Sequence, residues 1–396
     1  MTTGYQAAID TNDIIMAYAK ETTWGMKPSV QFQDIRLDSE GFSSSKSRTR
    51  PAEINPAGQA SAAITTKVES TGSLNFSVSA GTHNDLLASS IGGTFTTAVN
   101  FSDKTTVAAT ATGFTDSGNG FTAGNGFYVG QMIKVSGFTG ASEALINGVY
   151  RIDTLANGTI TTTPAPGATK TAGDSITMKG SMCRNGRVFD SFFFQKTLAS
   201  DKFLQYAGAW PTGGSLDVGV GDYLKGTLSF LNKSEAKATV DGSTGAHLAA
   251  PTGNVIDAIN GIGQIYRNGV AINAIIQKIG VKWNKEGARA QFGIGSSSAQ
   301  GMGIGSLLVS GTLSSYFKDF SLYDEFIAET GGPIWFKALD NTGKGFVITF
   351  CNATIMNPKI VAGGPGQDVM AEFEIEGNPG DATLYGGKTI QFDYFS

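Results

Sequence analysis

The chain has 396 residues and a formal net charge of −4; 53 residues are glycine, 16% are charged and 10% are aromatic. This composition is too apolar and too aromatic for a disordered chain, and the glycines follow no three-residue period, which excludes a collagen. The small negative charge excludes a protein that clamps nucleic acid through a large basic excess.

The length predicts about two or three domains, each with its own core. No apolar run is long enough to cross a membrane as a helix. The start, Met1-Thr2-Thr3-Gly4, has neither the basic residues nor the apolar stretch of a signal peptide. We therefore expect a soluble protein that has no membrane partner and is not secreted by the usual route.

Residue types that carry most enzymatic chemistry are scarce. The only histidines are His83 and His247, and the only cysteines are Cys183 and Cys351, so neither a zinc site nor a disulfide framework is predicted. The glycine-rich run at 301–305 lacks the Lys-Ser/Thr of a phosphate-binding loop and is interpreted as a flexible loop. We expect no catalytic residue, no cofactor and no metal.

Strand patterns dominate the chain. Apolar and polar residues alternate at 74–78, 224–230 and 369–375, which indicates strands with one buried and one wet face. The sequence therefore predicts a mainly β protein built from antiparallel sheets.

Two short helices are predicted, near 84–91 and 323–328. Each follows a hydroxyl residue with an aspartate three positions later, which resembles a capping box, and each ends in a pair of glycines. The capping pairs are Thr82 with Asp85 and Ser321 with Asp324, and the glycine pairs are Gly92-Gly93 and Gly331-Gly332.

These helices belong to an internal repeat. Residues 72–93 align without a gap to 311–332, and 219–230 align to 364–375. The offsets of the two matches differ by a stretch of domain size. The first copy therefore contains an insertion that the second copy lacks.

We predict two copies of a β-sandwich or barrel-like domain, each with one short α-helix. The first copy comprises 1–93 together with 181–235, and the second comprises 255–396. Residues 94–180, rich in Thr, Gly and Ala, form an inserted small all-β domain. The glycine-rich stretch 236–254 is a linker.

Three carboxylates alternate along the predicted strand near the end of the chain. Glu372, Glu374 and Glu376 share one face because side chains alternate across a strand. Such a face could bind a metal or serve acid/base chemistry, but the apolar residues between the carboxylates favour a solvated acidic face above a core. That face would matter if it lined a channel.

The concentrated basic patch is Lys46, Arg48 and Arg50, in the serine-rich stretch 39–51. Three interpretations remain open: an extended arm that docks on a neighbour's acidic surface, a solvent loop, and a contact to nucleic acid. The arm is favoured.

Several segments, taken in order, resemble the tail tube (major tail) proteins of bacteriophages with long, flexible, non-contractile tails. The inserted stretch, through 127–138 and 147–152, is similar to small modules found in such proteins. The segments that carry the main resemblance are 21–25, 53–54, 72–74, 85–87, 192–194, 206–208, 311–317, 322–326 and 366–372.

The resemblance implies a structural virion protein, not an enzyme, that polymerises as stacked rings into the tail tube, the conduit for genome delivery. It would be assembled in the host cytoplasm and reside in the virion tail. It also implies an arm to the next ring, here Lys46, Arg48, Arg50 and Glu53, and a lumen that repels DNA, for which Glu372, Glu374 and Glu376 are the candidates.

The implied partners are further copies of the chain, the tape-measure and tail-terminator proteins, and double-stranded DNA that passes without specific binding. Two copies per chain favour a trimeric ring with pseudo-sixfold symmetry. A six-chain ring remains the alternative if only one copy lines the bore. A different class, a carbohydrate-binding or adhesin-like surface protein, is suggested by Thr/Gly-rich β modules and by Trp210 beside Pro211.

Overall fold

Antiparallel strands make up most of the structure, a computed structural model that describes residues 9–259 and 261–396. Residues 1–8, where the first predicted domain begins, lie outside the described residues. The mainly β prediction is confirmed. The α-helices of the described chain are α1 (Asn84–Ser90), α2 (Glu143–Ile146), α3 (Ser321–Ile327) and α4 (Ala382–Tyr385), with single 3-10 turns at Thr11–Asp13 and Ala123–Asn125. No helix in this part of the chain is long and apolar enough to span a membrane.

The strands fall into three groups along the chain. The first group, which is interrupted after α1, contains β1 (Ile15–Lys20), β2 (Gln33–Asp34), β3 (Ser39–Glu40), β4 (Ser43–Thr49) and β5 (Ile64–Ser77). The interruption contains β6 (Phe101–Lys104), β7 (Val107–Ala109), β8 (Gly113–Asp116), β9 (Met132–Ser136), β10 (Gly148–Ala156), β11 (Thr159–Thr163), β12 (Ile176–Lys179) and β13 (Ser181–Arg184). The first group then resumes with β14 (Phe192–Ala199), β15 (Lys202–Gly219), β16 (Lys225–Asn232) and β17 (Ser234–Ala238). The last group contains β18 (Ile262–Arg267), β19 (Val270–Ala271), β20 (Ile276–Glu286), β21 (Arg289–Gln291), β22 (Gly301–Gly303), β23 (Ser306–Tyr316), β24 (Gly332–Leu339), β25 (Gly345–Val361), β26 (Met370–Asn378) and β27 (Ile390–Phe395).

One strand order occurs twice, and we call the two sets the first and the second unit. In the first unit β4 pairs with β5, β5 with β16 and β16 with β15. In the second unit β20 pairs with β23, β23 with β26 and β26 with β25. A pairing between β15 and β20 joins the two sets edge to edge. The result is one continuous antiparallel sheet across both units, the main sheet.

A second layer covers one face of the main sheet. It contains β1, β14, β17 and the first half of β15 in the first unit, and β18, β24, β27 and the first half of β25 in the second. The long strands β15 and β25 thus pass from one layer to the other, and the two layers form a sandwich around a shared apolar core. Core members on the main sheet include Leu74, Leu228, Leu216, Ile279, Leu313 and Phe373.

The stretch β6–β12 forms a separate seven-stranded sheet with its own core, which we call the insert. Met132 and Val149 of the insert pack on Trp335, Val347 and Phe395 of the second unit. The Met132 N–H also donates to the fully buried Asp393 carboxylate at 3.1 Å. The insert therefore covers the outer face of the second layer, on the opposite side of the sandwich from the exposed face of the main sheet.

The stretch predicted as a linker follows the surface of the first unit. Strand β17 ends at Ala238, inside the predicted range 236–254. The Leu248 N–H donates to the Phe32 carbonyl at 2.8 Å, and the His247 Nδ1 lies 2.7 Å from Asp34 Oδ1. The domain boundaries drawn from the sequence stay predictions.

The predicted capping boxes are wrong. Helix α1 begins after its N-cap residue His83, whose side chain makes no capping hydrogen bond. Thr82 lies one residue before the cap, and its hydroxyl pairs with the Ser79 hydroxyl at 2.6 Å. Ser321 lies inside α3 as its first residue, and its hydroxyl donates to Asp319. Neither hydroxyl residue is therefore the N-cap, and each hydroxyl bonds to a local side chain instead. The remaining members of the predicted pairs, Asp85 and Asp324, lie in the first helical turns.

The glycine pairs predicted to end the two helices differ in where they lie. Gly92 follows α1 with φ +68, the left-handed conformation expected at a helix C-terminus. After α3 the left-handed residue is Glu329, φ +48, and Gly332 instead begins β24. The prediction for Gly92-Gly93 is confirmed, and that for Gly331-Gly332 is wrong.

Buried polar contacts fix β20 against α1 where the two units meet. The Trp283 Nε1 donates to the Ser90 hydroxyl at 2.9 Å. The Lys285 ammonium donates to the Ser89 and Pro211 carbonyls at 3.1 and 2.8 Å. Burial lowers the pKa of Lys285 to about 7.

This lysine predicts a pH-dependent stability. Because the folded pKa lies below the unfolded value of 10.5, the unfolded chain binds more protons between about pH 7 and pH 10.5, and stability should rise over that window. Lys285→Met should abolish this rise, as followed by urea unfolding at pH 7 and pH 10. The exposed Lys282→Met on the same strand is the control and should keep the wild-type slope. Equal slopes in all three proteins would contradict the assignment.

Candidate functional site

The exposed face of the main sheet is mainly polar. Alternation places apolar side chains in the core and mostly polar side chains on the opposite face, where Leu308 and Val361 are exposed apolar exceptions. This surface, the polar face, crosses the joint between the units without a break. Its members include Asn75, Thr227, Ser215, Asp217, Lys282, Ser310 and Thr312.

The alternating glutamates lie on this polar face. Glu372, Glu374 and Glu376 are exposed on β26, while the residues between them are buried. Their neighbours on β23 are Ser314, Thr312 and Ser310. The predicted alternation is present, and the carboxylates follow one line along the sheet.

The polar face is not purely acidic. The Lys359 ammonium lies 3.7 Å from Glu372, and Asn357 donates to Glu374 at 2.6 Å. Lys225, Lys278 and Lys282 lie on the same face in neighbouring strands. Positive and negative side chains are thus interleaved, which the sequence did not indicate because the lysines come from distant parts of the chain.

The four predicted arm residues lie in one β-hairpin, formed by β4 and the first half of β5, which we call the first arm. Every residue of β4, including Lys46, is exposed. The Arg48 and Arg50 guanidinium groups donate to the Ala63 and Ser61 carbonyls at 2.7 and 2.6 Å. Glu53 accepts a hydrogen bond from the Ser61 hydroxyl at 2.9 Å. The basic patch is therefore part of an extended hairpin, and hydrogen bonds from side chains of the hairpin stabilise it.

A second hairpin, which sequence reasoning missed, occupies the equivalent place in the second unit. Strands β20 and β23 form it, and its tip contains the short pair β21 and β22. The glycine run 301–305, predicted to be a flexible loop, thus begins as a strand. Both hairpins project from the same end of the main sheet, and the Val68 N–H donates to the Ser297 carbonyl at 2.8 Å. We call the second hairpin the second arm.

Each lateral edge of the main sheet ends in a strand with a partner on one side only, among the described residues. At one edge β3 and β4 pair only with β5. At the other edge the last part of β25 pairs only with β26. Two apolar side chains of that last part, Ile360 and Val361, are 36% and 42% exposed.

The first unit shows what covers the equivalent edge. Ile360 pairs with Ala371, and Leu216 of β15 pairs with Gly226, the residue that aligns with Ala371 in the sequence repeat. Leu216 is only 2% exposed, because β20 lies alongside it. Within the chain, therefore, the strand pairing that buries Leu216 has no counterpart at Ile360.

The described Cys, His83 and Glu21 side chains, which could in principle carry chemistry, are buried inside the fold. Cys183 and Cys351 are buried and unpaired, and burial lowers the pKa of His83 to about 4. Glu21, whose role the sequence did not reveal, is buried, and its carboxylate accepts hydrogen bonds from Gly208, Gly25 and Ser191 at 2.7, 2.8 and 2.6 Å. In the described part of the chain no group of three His, Cys, Asp or Glu side chains is arranged to hold a metal ion.

The aromatic that suggested sugar binding is inaccessible. Trp210 is buried against Phe189, with ring centroids 5.1 Å apart. The expectation of an exposed stacking platform at this residue is wrong, because the sequence did not reveal that Phe189 would cover it.

Comparison with known proteins identifies the family. Residues 11–377 match the family model described as phage tail tube protein. No curated protein matches the chain. The match spans nearly the whole chain and both units, and the mainly β fold agrees with it. The chain therefore belongs to the phage tail tube protein family and is a structural component of the virion tail.

Proposed function

We propose that three copies of the chain close into a ring with pseudo-sixfold symmetry and that such rings stack into the tube through which the genome passes. The observation that carries the proposal is the main sheet, in which two similar units already lie side by side with a free strand at each end. Three two-unit chains supply six units. The six-chain alternative requires that one unit leave the bore, whereas here both units share one polar face.

The pairing of β15 with β20 is the template for closure between chains. In it Asp217 lies opposite Gly280, and Ser215 lies opposite Lys282. On β25, Val361 is equivalent to Asp217 and Lys359 to Ser215. Beside β5, Gly41 is equivalent to Gly280 and Ser43 to Lys282. An edge strand that stays unpaired invites uncontrolled association, which ring closure prevents. Burial of the exposed third of Ile360 would add about 1 kcal/mol per interface.

The closure predicts a disulfide between subunits. A chain carrying Lys359→Cys and Ser43→Cys should cross-link on oxidation into species no larger than a trimer, because those side chains would lie opposite each other on adjacent strands. Denaturing electrophoresis without reductant measures the size. The native cysteines are buried and should not interfere.

The matched control is the equivalent pair inside the chain, Ser215→Cys with Lys282→Cys, which should form a disulfide without raising the molecular mass. If the control pair oxidises in assembled tubes while the first pair stays reduced, the proposed closure is wrong. A ladder that continues to six chains would replace the trimer by the hexamer.

The polar face would line the bore. Its charges are interleaved, so a phosphate backbone meets neither a basic track nor an uninterrupted acidic wall, and DNA can pass without binding. The same lumen would hold the tape-measure protein before DNA enters, and a terminator protein would end the stack. No chemical reaction is required of the chain, and we propose that it acts without catalysis.

Reversing the glutamates tests the bore. Particles with Glu372→Lys, Glu374→Lys and Glu376→Lys should release DNA roughly several-fold more slowly at low salt, because the introduced lysines would hold the phosphate backbone. The difference from wild type should shrink at high salt, because salt screens this attraction. Fluorescence of released DNA gives the rate. The Glu→Gln triple variant is the control for lost carboxylates. Unchanged release from particles with normal tails would show that these residues lie outside the bore.

The first arm would contact the next ring, as the resemblance implied. Lys46→Glu should leave a soluble chain that polymerises poorly, because Lys46 is exposed on β4. The triple reversal with Arg48→Glu and Arg50→Glu should abolish polymerisation. Sedimentation and negative-stain microscopy measure tube length, with Lys104→Glu in the insert as the control. Tubes of wild-type length from the triple variant would exclude a role for this basic patch.

A further inference from the structure

A histidine holds the stretch that follows β17 against the first unit. The His247 Nδ1 lies 2.7 Å from Asp34 Oδ1 of β2, and its Nε2 lies 3.1 Å from Asp241 Oδ2. We infer that these contacts make residues 239–249, which we call the latch segment, a pH-dependent latch. The segment is bound to the first unit while the ring carries two protons, and it is released locally when the ring loses one of them.

The number of protons on the ring decides whether both contacts are favourable. An ionised carboxylate only accepts hydrogen bonds, and a neutral imidazole has a single N–H. Both ring nitrogens of His247 face a carboxylate oxygen, so the neutral ring can donate to only one of them. Its other nitrogen then turns a lone pair toward the second carboxylate, which is repulsive. Both contacts are therefore stabilising only in the imidazolium form.

The surroundings of the ring favour the charged form. The titratable side chains that contact the ring within the described chain are Asp34 of β2 and Asp241 of the latch segment itself. The ring also packs near the apolar Phe32, with centroids 6.1 Å apart, and the neutral Gln195 amide donates to Asp241 at 2.8 Å. Burial opposes a charge on the ring, but the hydrogen bonds to the two carboxylates outweigh it and raise the pKa of His247 above its usual 6.5.

The direction of the pH dependence follows from this shift. Because the folded pKa of His247 lies above the unfolded value of 6.5, the charged ring contributes stability that is fully present below about pH 6.5. That contribution is lost as the pH rises through the folded pKa. The latch is therefore closed in mild acid and loosened in mild alkali.

The closed latch covers a strand edge and an aromatic side chain. The Leu248 N–H donates to the Phe32 carbonyl at 2.8 Å, and the Asp34 N–H donates to the Leu248 carbonyl at 2.9 Å. Gln33 of β2 thus has one partner in β1 and another in the latch segment. Phe32 is fully buried, and a side chain added at Gly242 would touch its ring. Release would expose this edge, and an open edge is a surface on which another strand can pair.

Contacts that do not depend on pH confine the release to one segment. The Gln31 amide donates to the Ala246 carbonyl at 3.1 Å, and the Arg36 guanidinium donates to the Gly253 carbonyl at 2.5 Å. An amide does not titrate, and arginine stays charged throughout this range. Loss of the imidazolium should therefore open the latch segment locally and leave the rest of the first unit folded.

Hydrogen exchange of the full-length chain, followed by mass spectrometry, tests the latch. Peptides that cover 242–248 should lose protection roughly several-fold between pH 6 and pH 9, after correction for the intrinsic exchange rate, because the charged ring is lost. Peptides from β16 should not lose protection over the same range, since no part of that strand contacts the latch segment.

Asp241→Asn should remove the loss of protection. Its Oδ1 can keep the hydrogen bonds from Gln195 and from the Ser243 N–H, and its NH₂ group takes the place of Oδ2 beside His247 Nε2. The neutral ring can then accept from this amide and donate to Asp34 at the same time. The variant should be at least as protected at pH 9 as at pH 6, whereas the exposed Asp201→Asn should behave as wild type.

Asp34→Asn makes the same exchange at Nδ1 and is the second variant if Asp241→Asn does not fold. A latch that serves only as packing would respond to neither substitution with a changed pH profile. Equal protection of 242–248 at pH 6 and pH 9 in the wild-type chain would overturn the inference, and so would a wild-type loss of protection in the folded asparagine variant.

Discussion

The pairing of β15 with β20 is the interaction on which the rest of the structure depends. It joins residues 213–219 of the first unit to 278–284 of the second in one antiparallel ladder. Without it Leu216 would lose the cover of β20, and the polar face would be divided between the two units. With it, the two β units share one continuous sheet that has a free strand at each side.

Buried polar contacts make this joint rigid. The Trp283 and Lys285 side chains reach α1 and β15 across the boundary between the units, and a satisfied polar network in a dry interior specifies one arrangement. A subunit of a closed ring needs such a fixed angle, because small errors between the units accumulate around the ring. The insert lies on the outer layer, where its contacts with Trp335 and Phe395 leave both edges and the polar face uncovered.

Local patterns predicted local structure well. The alternation around Glu374 and the stop at Gly92 both depend on neighbours in sequence, and both are present. The capping prediction for Thr82 did not hold, because α1 begins one residue later, after His83, and the Thr82 hydroxyl pairs with Ser79. The second arm lacked any signal besides glycine, since its tip has neither a charge run nor a long apolar pattern.

The sequence by itself determined the fold class, the repetition of a strand, helix and strand pattern, and the face on which the glutamates lie. These follow from residue periodicity, which is a property of neighbours along the chain. Only the tertiary structure decided that lysines from other strands would share the polar face with the acidic line, that Trp210 would be covered, and that one edge would bury Leu216 while its counterpart at Ile360 stays partly exposed. Those outcomes depend on which strands become adjacent, and strand adjacency is set by pairing between residues far apart in sequence.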